Sequence, residues 1–184
     1  MRVINQQQNN KKLYRMIIII LLALVLGILL LAYLNRPQGA ANPGTISIES
    51  RGEVIAVLTM KELQALPKVE KEVTINSASE GKSTAVWTGA SMKDVLDSVD
   101  PQLIQNAEQV LARAEDGFTS ALTSKEIKAS DDVLIAYEKN GELLKGKAEG
   151  GVGPFRLILA KDPFGNRMTK YLNVLELKGC QWSR

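Results

Sequence analysis

Nineteen consecutive residues, Met16–Leu34, carry no charge and present no polar face. At 1.5 Å of rise per residue a helix of that length spans about 28 Å, close to the hydrocarbon thickness of a bilayer. A helix in a soluble core normally keeps a polar stripe toward water, and this run offers none. It is also longer than the about 7–15 apolar residues of a secretory signal, so it reads as a single-pass anchor. Gly39-Ala40-Ala41 nevertheless supplies small residues of the kind that cleavage sites use. Lys11, Lys12 and Arg15 precede the run and only Arg36 follows closely. The positive-inside rule then places the N-terminus in the cytoplasm and everything after the run outside.

The anchor divides the chain of 184 residues into four parts. Residues 1–15 are polar and basic, with Gln6-Gln7-Gln8 and Asn9-Asn10, and are expected to be a disordered cytoplasmic head. Residues 16–34 form the transmembrane helix. Residues 35–44, rich in Pro, Gly and Ala, form a linker. Residues 45–184 remain as one domain, long enough to bury a core. The net charge of +3 owes much to Arg2, Lys11, Lys12 and Arg15. The domain itself is close to neutral, which argues against nucleic acid as a partner. The chain has no histidine and one cysteine, Cys180. That removes the usual zinc, haem and Fe–S ligand sets, any intrachain disulfide, and the common nucleophile–base pairs.

Inside the domain the apolar pattern predicts many short strands and few helices. Strands are expected over Thr45–Glu49, Glu53–Leu58, Val73–Ser77, Thr84–Trp87, Gln109–Ala114, Val133–Glu138, Glu142–Leu144, Phe155–Ala160 and Leu172–Lys178. Lys139-Asn140-Gly141 is a hairpin signal, since Asn-Gly suits a type I′ turn. A short helix runs from Met60 to Leu66, capped by Thr59 and stopped by Pro67. A second follows Ser91 through Val99, and Thr123–Ile127 forms one helical turn at most. The class is α+β, mainly β with short helices.

Chemistry concentrates in Gly150–Tyr171. A glycine-rich loop leads into Pro154 and Arg156, a short apolar run follows, and Arg167 and Lys170 come after a turn. Glycines let backbone approach a ligand, and three cations can neutralise a phosphate. A strand between two turns with solvated basic ends accounts for the same residues.

Several stretches together resemble the oxidoreductase molybdopterin-binding domain, the sulfite-oxidase-like fold. Trp87-Thr88-Gly89-Ala90-Ser91-Met92-Lys93-Asp94-Val95-Leu96 resembles the family's W-x-G-V-P-L-x-D-L-L segment. Ala114-Glu115-Asp116-Gly117-Phe118 resembles its A-x-D-G-Y. Leu134-Ile135-Ala136-Tyr137 with Asn140-Gly141-Glu142 and Leu144 resembles its L-A-Y-x-x-N-G-x-x-L. Pro154-Phe155-Arg156-Leu157 resembles its P-x-R-[LV], and Arg167 with Lys170-Tyr171-Leu172 its R-x-x-K-W-L. The order is shared over residues 45–178.

The resemblance implies a pterin dithiolene holding molybdenum, with one protein cysteine as a further soft ligand. It places that cysteine shortly before the W-x-G tryptophan, where this chain has Asn76-Ser77-Ala78-Ser79-Glu80-Gly81; Ser77 occupies the slot. It also implies that Arg167 and Lys170, with Arg156, contact the cofactor's phosphate. Gly151 stands nearest a histidine that the family's enzymes often carry. Cys180 lies past the last strand, far from the slot. No metal ligand is therefore assigned. Three functions stay open: a non-catalytic membrane-anchored module for a pterin-type or other anionic ligand or a protein partner; a molybdopterin-dependent oxidoreductase with a non-Cys ligand; and a structural cell-envelope protein.

Overall fold

A computed structural model describes residues 2–34, 44–77, 81–162 and 164–179. The linker up to residue 43, Cys180 and the residues after it lie outside the described residues. Two compact units result, one ending at Gln38 and one beginning at Gly39. The first is a single helix, α1 (Arg2–Leu34). Its backbone is already helical in the basic head, which corrects the expectation of disorder there. Within it Tyr14–Leu31 is long and apolar enough to cross a membrane, with a mean hydropathy of 2.8, a test that anchors and signal sequences both pass.

The second unit is mostly strand, as the alternation predicts. One sheet has the order β2-β1-β10-β5-β6, with β1 Thr45–Ser50, β2 Glu53–Thr59, β5 Gln109–Ala114, β6 Thr119–Thr123 and β10 Leu172–Lys178. β1 and β10 run parallel with Glu49 opposite Glu176; the other pairs are antiparallel. A second sheet has β3 (Lys68–Ser77), β4 (Gly81–Ser91) and β7 (Val133–Lys139) in sequence, with β8 (Glu142–Leu143) and β9 (Arg156–Leu159) both on β7. This sheet curls until its margins meet. Asn76 of β3 bridges Phe164, just past β9, in parallel, and Lys71 of β3 reaches Asp132 at 3.3 Å.

Short helices pack against strands of both sheets. α2 (Met60–Gln64) opens with a full capping box: Thr59 accepts from the Glu62 N–H, and Glu62 accepts from the Thr59 N–H. α3 (Met92–Val99) is capped by Ser91 and buries Met92, Val95 and Leu96, its i, i+3, i+4 stripe. α4 (Leu103–Asn106) and β6 were not expected from the sequence. α5 (Ser124–Ala129), capped by Thr123, is slightly longer than the single turn predicted there. Ile46 and Ile48, Trp87, Leu96, Ile127, Ile135, Phe155 and Leu175 join one continuous core across both sheets.

Gly89 shows why the W-x-G segment needs its glycine. A Cβ there would stand 2.1 Å from the Ile135 carbonyl oxygen and 2.7 Å from the Ala136 Cα. Strands β4 and β7 meet at that point, where their register shifts between Thr88 and Gly89.

Candidate functional site

The glycine loop is the first feature to place. A Cβ on Gly151 would lie 2.0 Å from the Lys145 carbonyl oxygen, and one on Gly153 would lie 2.4 Å from the Leu144 Cβ. The space those glycines leave is thus filled by Leu144 and Lys145, the residues just after β8. Gly151 and Gly153 donate their N–H groups to the Gly146 and Lys145 carbonyls. Tyr171 closes the loop from the far side: its hydroxyl donates to the Gly151 carbonyl at 3.0 Å, its N–H to the Val152 carbonyl, and Lys147 lies over its ring. The loop is built from self-contacts, and its peptide N–H groups at Gly151 and Gly153 are committed to them.

Arg156 opens β9 opposite Ala136 and is 6% exposed. Its guanidinium carbon sits 4.9 Å from the centre of the Trp87 ring, and Lys139 Nζ is 5.4 Å from the same centre. Trp87 itself is 1% exposed. A cation on the face of a buried indole is attracted by the ring quadrupole. Trp87 and Arg156 are therefore joined, and the tryptophan is a core anchor that also holds charge.

Lys170 is half-buried. Hydrogen bonds from the Leu157 N–H to the Thr169 carbonyl and from the Leu172 N–H to the Phe155 carbonyl run its segment beside the start of β9. Arg156 and Lys170 thus belong to adjoining segments.

Arg167 turns elsewhere. It ends the 3-10 turn Gly165–Arg167, and its Nη2 donates to both carboxylate oxygens of Glu126 on α5, at 2.9 and 2.8 Å. The Ala121 carbonyl accepts from the same nitrogen at 3.3 Å, and Asp162 lies 3.8 Å from Nη1. The bond to Glu126 pushes the Arg167 pKa up, against some loss of solvation. Beside Arg167 is a cavity of about 400 Å³ lined by Glu126, Ser130, Asp132, Lys161 and Asp162 among others, which neither Arg156 nor Lys170 lines. Asp132 accepts from Lys161, Ser130 and Lys71, bonds that hold its carboxyl down at about 2. Three carboxylates and two cations therefore face this space.

Ser77 ends β3 opposite Gly81. Its neighbour Asn76 bridges Phe164, the residue before the Arg167 turn. The backbone of the slot thus lies at the end of the curled sheet where Arg167 also sits. No group of three or more His, Cys, Asp or Glu residues among those described is placed to hold a metal ion. Sequence reasoning missed Glu126, Asp132 and Asp162. Thr123-Ser124-Lys125-Glu126 has capping-box spacing, and the Glu126 N–H does bond the Thr123 hydroxyl. The carboxylate, however, goes to an arginine forty-one residues away, a pairing no local pattern encodes.

Comparison with known proteins adds the following. The family described as oxidoreductase molybdopterin binding domain matches residues 37–182. No curated protein matches. Among solved structures, the sulfane dehydrogenase SoxCD from Paracoccus pantotrophus superposes with a TM-score of 0.61 at 17% identity. The match covers 73% of this chain and 38% of that one. At that identity the likeness shows the sulfite-oxidase-like fold alone.

Proposed function

The chain belongs to the oxidoreductase molybdopterin-binding domain family, and from that premise we propose that it is a degenerate, non-catalytic member, anchored by α1 and acting outside the membrane as a binding domain. One observation carries the reading: Arg167, the cation that the resemblance assigns to the cofactor's phosphate, already holds a carboxylate by both oxygens. That guanidinium nitrogen, Nη2, is committed to Glu126. The cavity next to it presents Glu126, Asp132 and Asp162 against Lys161 and Arg167. A multiply charged phosphate entering there meets like charge, which disfavours it. The residues around Arg167 therefore do not fit a molybdopterin phosphate.

Two further features support this. The slot for the soft thiolate holds Ser77, whose hydroxyl is a hard donor that must lose a proton to ligate. The glycine loop spends its Gly151 and Gly153 N–H groups on itself. The basic residues Lys11, Lys12 and Arg15 ahead of the apolar run support an exported domain.

The test is the molybdenum and pterin content of the full chain, purified in detergent from a host that makes the cofactor. Neither is expected in stoichiometric amount. Stoichiometric molybdenum would sink the proposal and leave an oxidoreductase with an unusual ligand. Pterin without metal would keep the domain non-catalytic and restore the anion site.

A further inference from the structure

The cavity beside Arg167 has an apolar side as well as a charged one. Val133 and Leu159, paired across β7 and β9, form part of its wall, and Ala129 of α5 adds to it. A concave space of about 400 Å³ with apolar lining and a few polar groups has the usual form of a small-molecule site. The class of molecule depends on which of its charges are already met.

Glu126 is met by Arg167 through both oxygens. Asp132 is met by Ser130, Lys71 and Lys161. Asp162 differs. Its Oδ1 accepts from the Phe164 N–H at 2.9 Å. Among the described residues the cation near its Oδ2 is Arg167, whose Nη1 lies at 3.8 Å, too far for a hydrogen bond. The Asp162 side chain is 22% exposed, so a ligand can reach it. A carboxylate only accepts, and its strongest partners are charged N–H donors. With three carboxylates against two cations, the lining also keeps an excess negative charge.

A metal ion does not answer this arrangement. It would need several converging oxygens, and among the described residues no group of three acidic, His or Cys side chains is so placed. An alkylammonium does answer it, with N–H donors for Asp162 and a carbon chain for the apolar wall. Lys161 sets the precedent: its side chain is 79% exposed, yet its ammonium is drawn onto Asp132 at this space.

We propose that this cavity is a site for a small aliphatic primary amine, its ammonium on Asp162 and its chain against Val133 and Leu159. The inference rests on reading the domain as a binding domain and names the class of ligand it takes. Lys161, holding its own ammonium at the same space, competes with that ligand.

The test is calorimetry at low salt, with butan-1-amine titrated into the full chain in detergent and into detergent alone. One saturable site per chain is expected. Asp162→Asn should weaken it about ten-fold, through loss of a charged hydrogen-bond partner. The Asn oxygen still accepts from Phe164, so the turn is kept. Lys161→Met should strengthen binding about five-fold by removing the competing ammonium. Glu53→Gln, exposed on β2, should change nothing. Nα-acetyl-lysine amide is titrated in parallel; binding of either amine supports the site, and the tighter one tells a free amine from a lysine side chain. No saturable binding of either overturns the proposal. So does butan-1-ol or tetramethylammonium binding as tightly as the amine, or Asp162→Asn behaving like Glu53→Gln. Weaker binding by Lys161→Met overturns the placement of the ammonium. Circular dichroism of each variant shows that the fold is retained. If the amine fails to bind a chain free of molybdenum and pterin, this inference alone falls. Stoichiometric molybdenum sinks the binding-domain reading whatever the amine does.

Discussion

Asp132→Asn tests the closure of the curled sheet and the charge of the cavity together. Asp132 precedes β7; Lys71 comes from β3, and Lys161 follows β9. The aspartate side chain is 15% exposed. The hydrogen bond from Lys161 is the largest cause of its lowered pKa, followed by that from Ser130; burial opposes them, and Lys71 adds a smaller pull. The value falls from 3.8 to about 2. At about 1.4 kcal/mol per pKa unit, this carboxylate contributes about 2 kcal/mol of stability, less in high salt because Lys161 is largely exposed. The folded pKa is depressed, so the contribution is complete above pH about 4. It falls as pH drops toward 2 and is gone below that. In low salt at pH 7, urea unfolding of the full chain in detergent, followed by circular dichroism, should give Asp132→Asn a stability about 2 kcal/mol lower. For a domain of this size that corresponds to roughly 5–8 °C in Tm. The gap between the two proteins should then close between pH 4 and pH 2. A variant within about 0.5 kcal/mol of the parent at pH 7, or a gap that ignores pH, would show that the lysines do not hold the sheet margins together.

Other consequences are as direct. Gly89→Ala should cost about 3 kcal/mol or more in the same unfolding assay, because its Cβ meets the β7 backbone and neither strand can yield. Gly151→Ala should destabilise the domain with no ligand present, since the obstacle is Lys145; an unaltered midpoint would return that glycine to a ligand-facing role. Glu126→Gln should leave stability within about 1 kcal/mol, Arg167 being partly exposed, yet raise the affinity for inorganic phosphate measured by calorimetry several-fold. Unchanged phosphate binding would mean that Glu126 does not occupy an anion site.

The fold was largely legible because it is written in local patterns. Gln109–Ala114 and Leu172–Lys178 are strands with the bounds that alternation gives. Thr59 and Ser91 cap the helices that follow them. Val73–Ser77 and Thr84–Trp87 were foreseen too short, because their polar outer residues are held by the β3–β4 ladder, which runs from Lys68/Ala90 to Ser77/Gly81. β6 went unread: Thr119-Ser120-Ala121-Leu122-Thr123 has only one large apolar residue, and its pairing with β5 makes it a strand. The site was legible only as residue types. Arg156, Arg167 and Lys170 were visible as cations, but what each cation meets depends on contacts far along the chain. Trp87 claims the first, and Glu126 on α5 claims the second.

The position of β10 has a consequence for how the domain is made. Among the described residues it is the last strand and the middle strand of its sheet, between β1, the first, and β5. A chain emerging from its N-terminus can pair β1 with β2, and β5 with β6, but the two hairpins have nothing to join them until residue 178 has appeared. Ile46 and Ile48 wait with them, since Leu175 and Leu177 complete that part of the core. Assembly therefore waits on contacts between the two extremes of the domain, and that long sequence separation slows folding for its size. A truncation that removes Leu172–Lys178 would leave two separate hairpins with raw edges, whatever remained of the sequence before it.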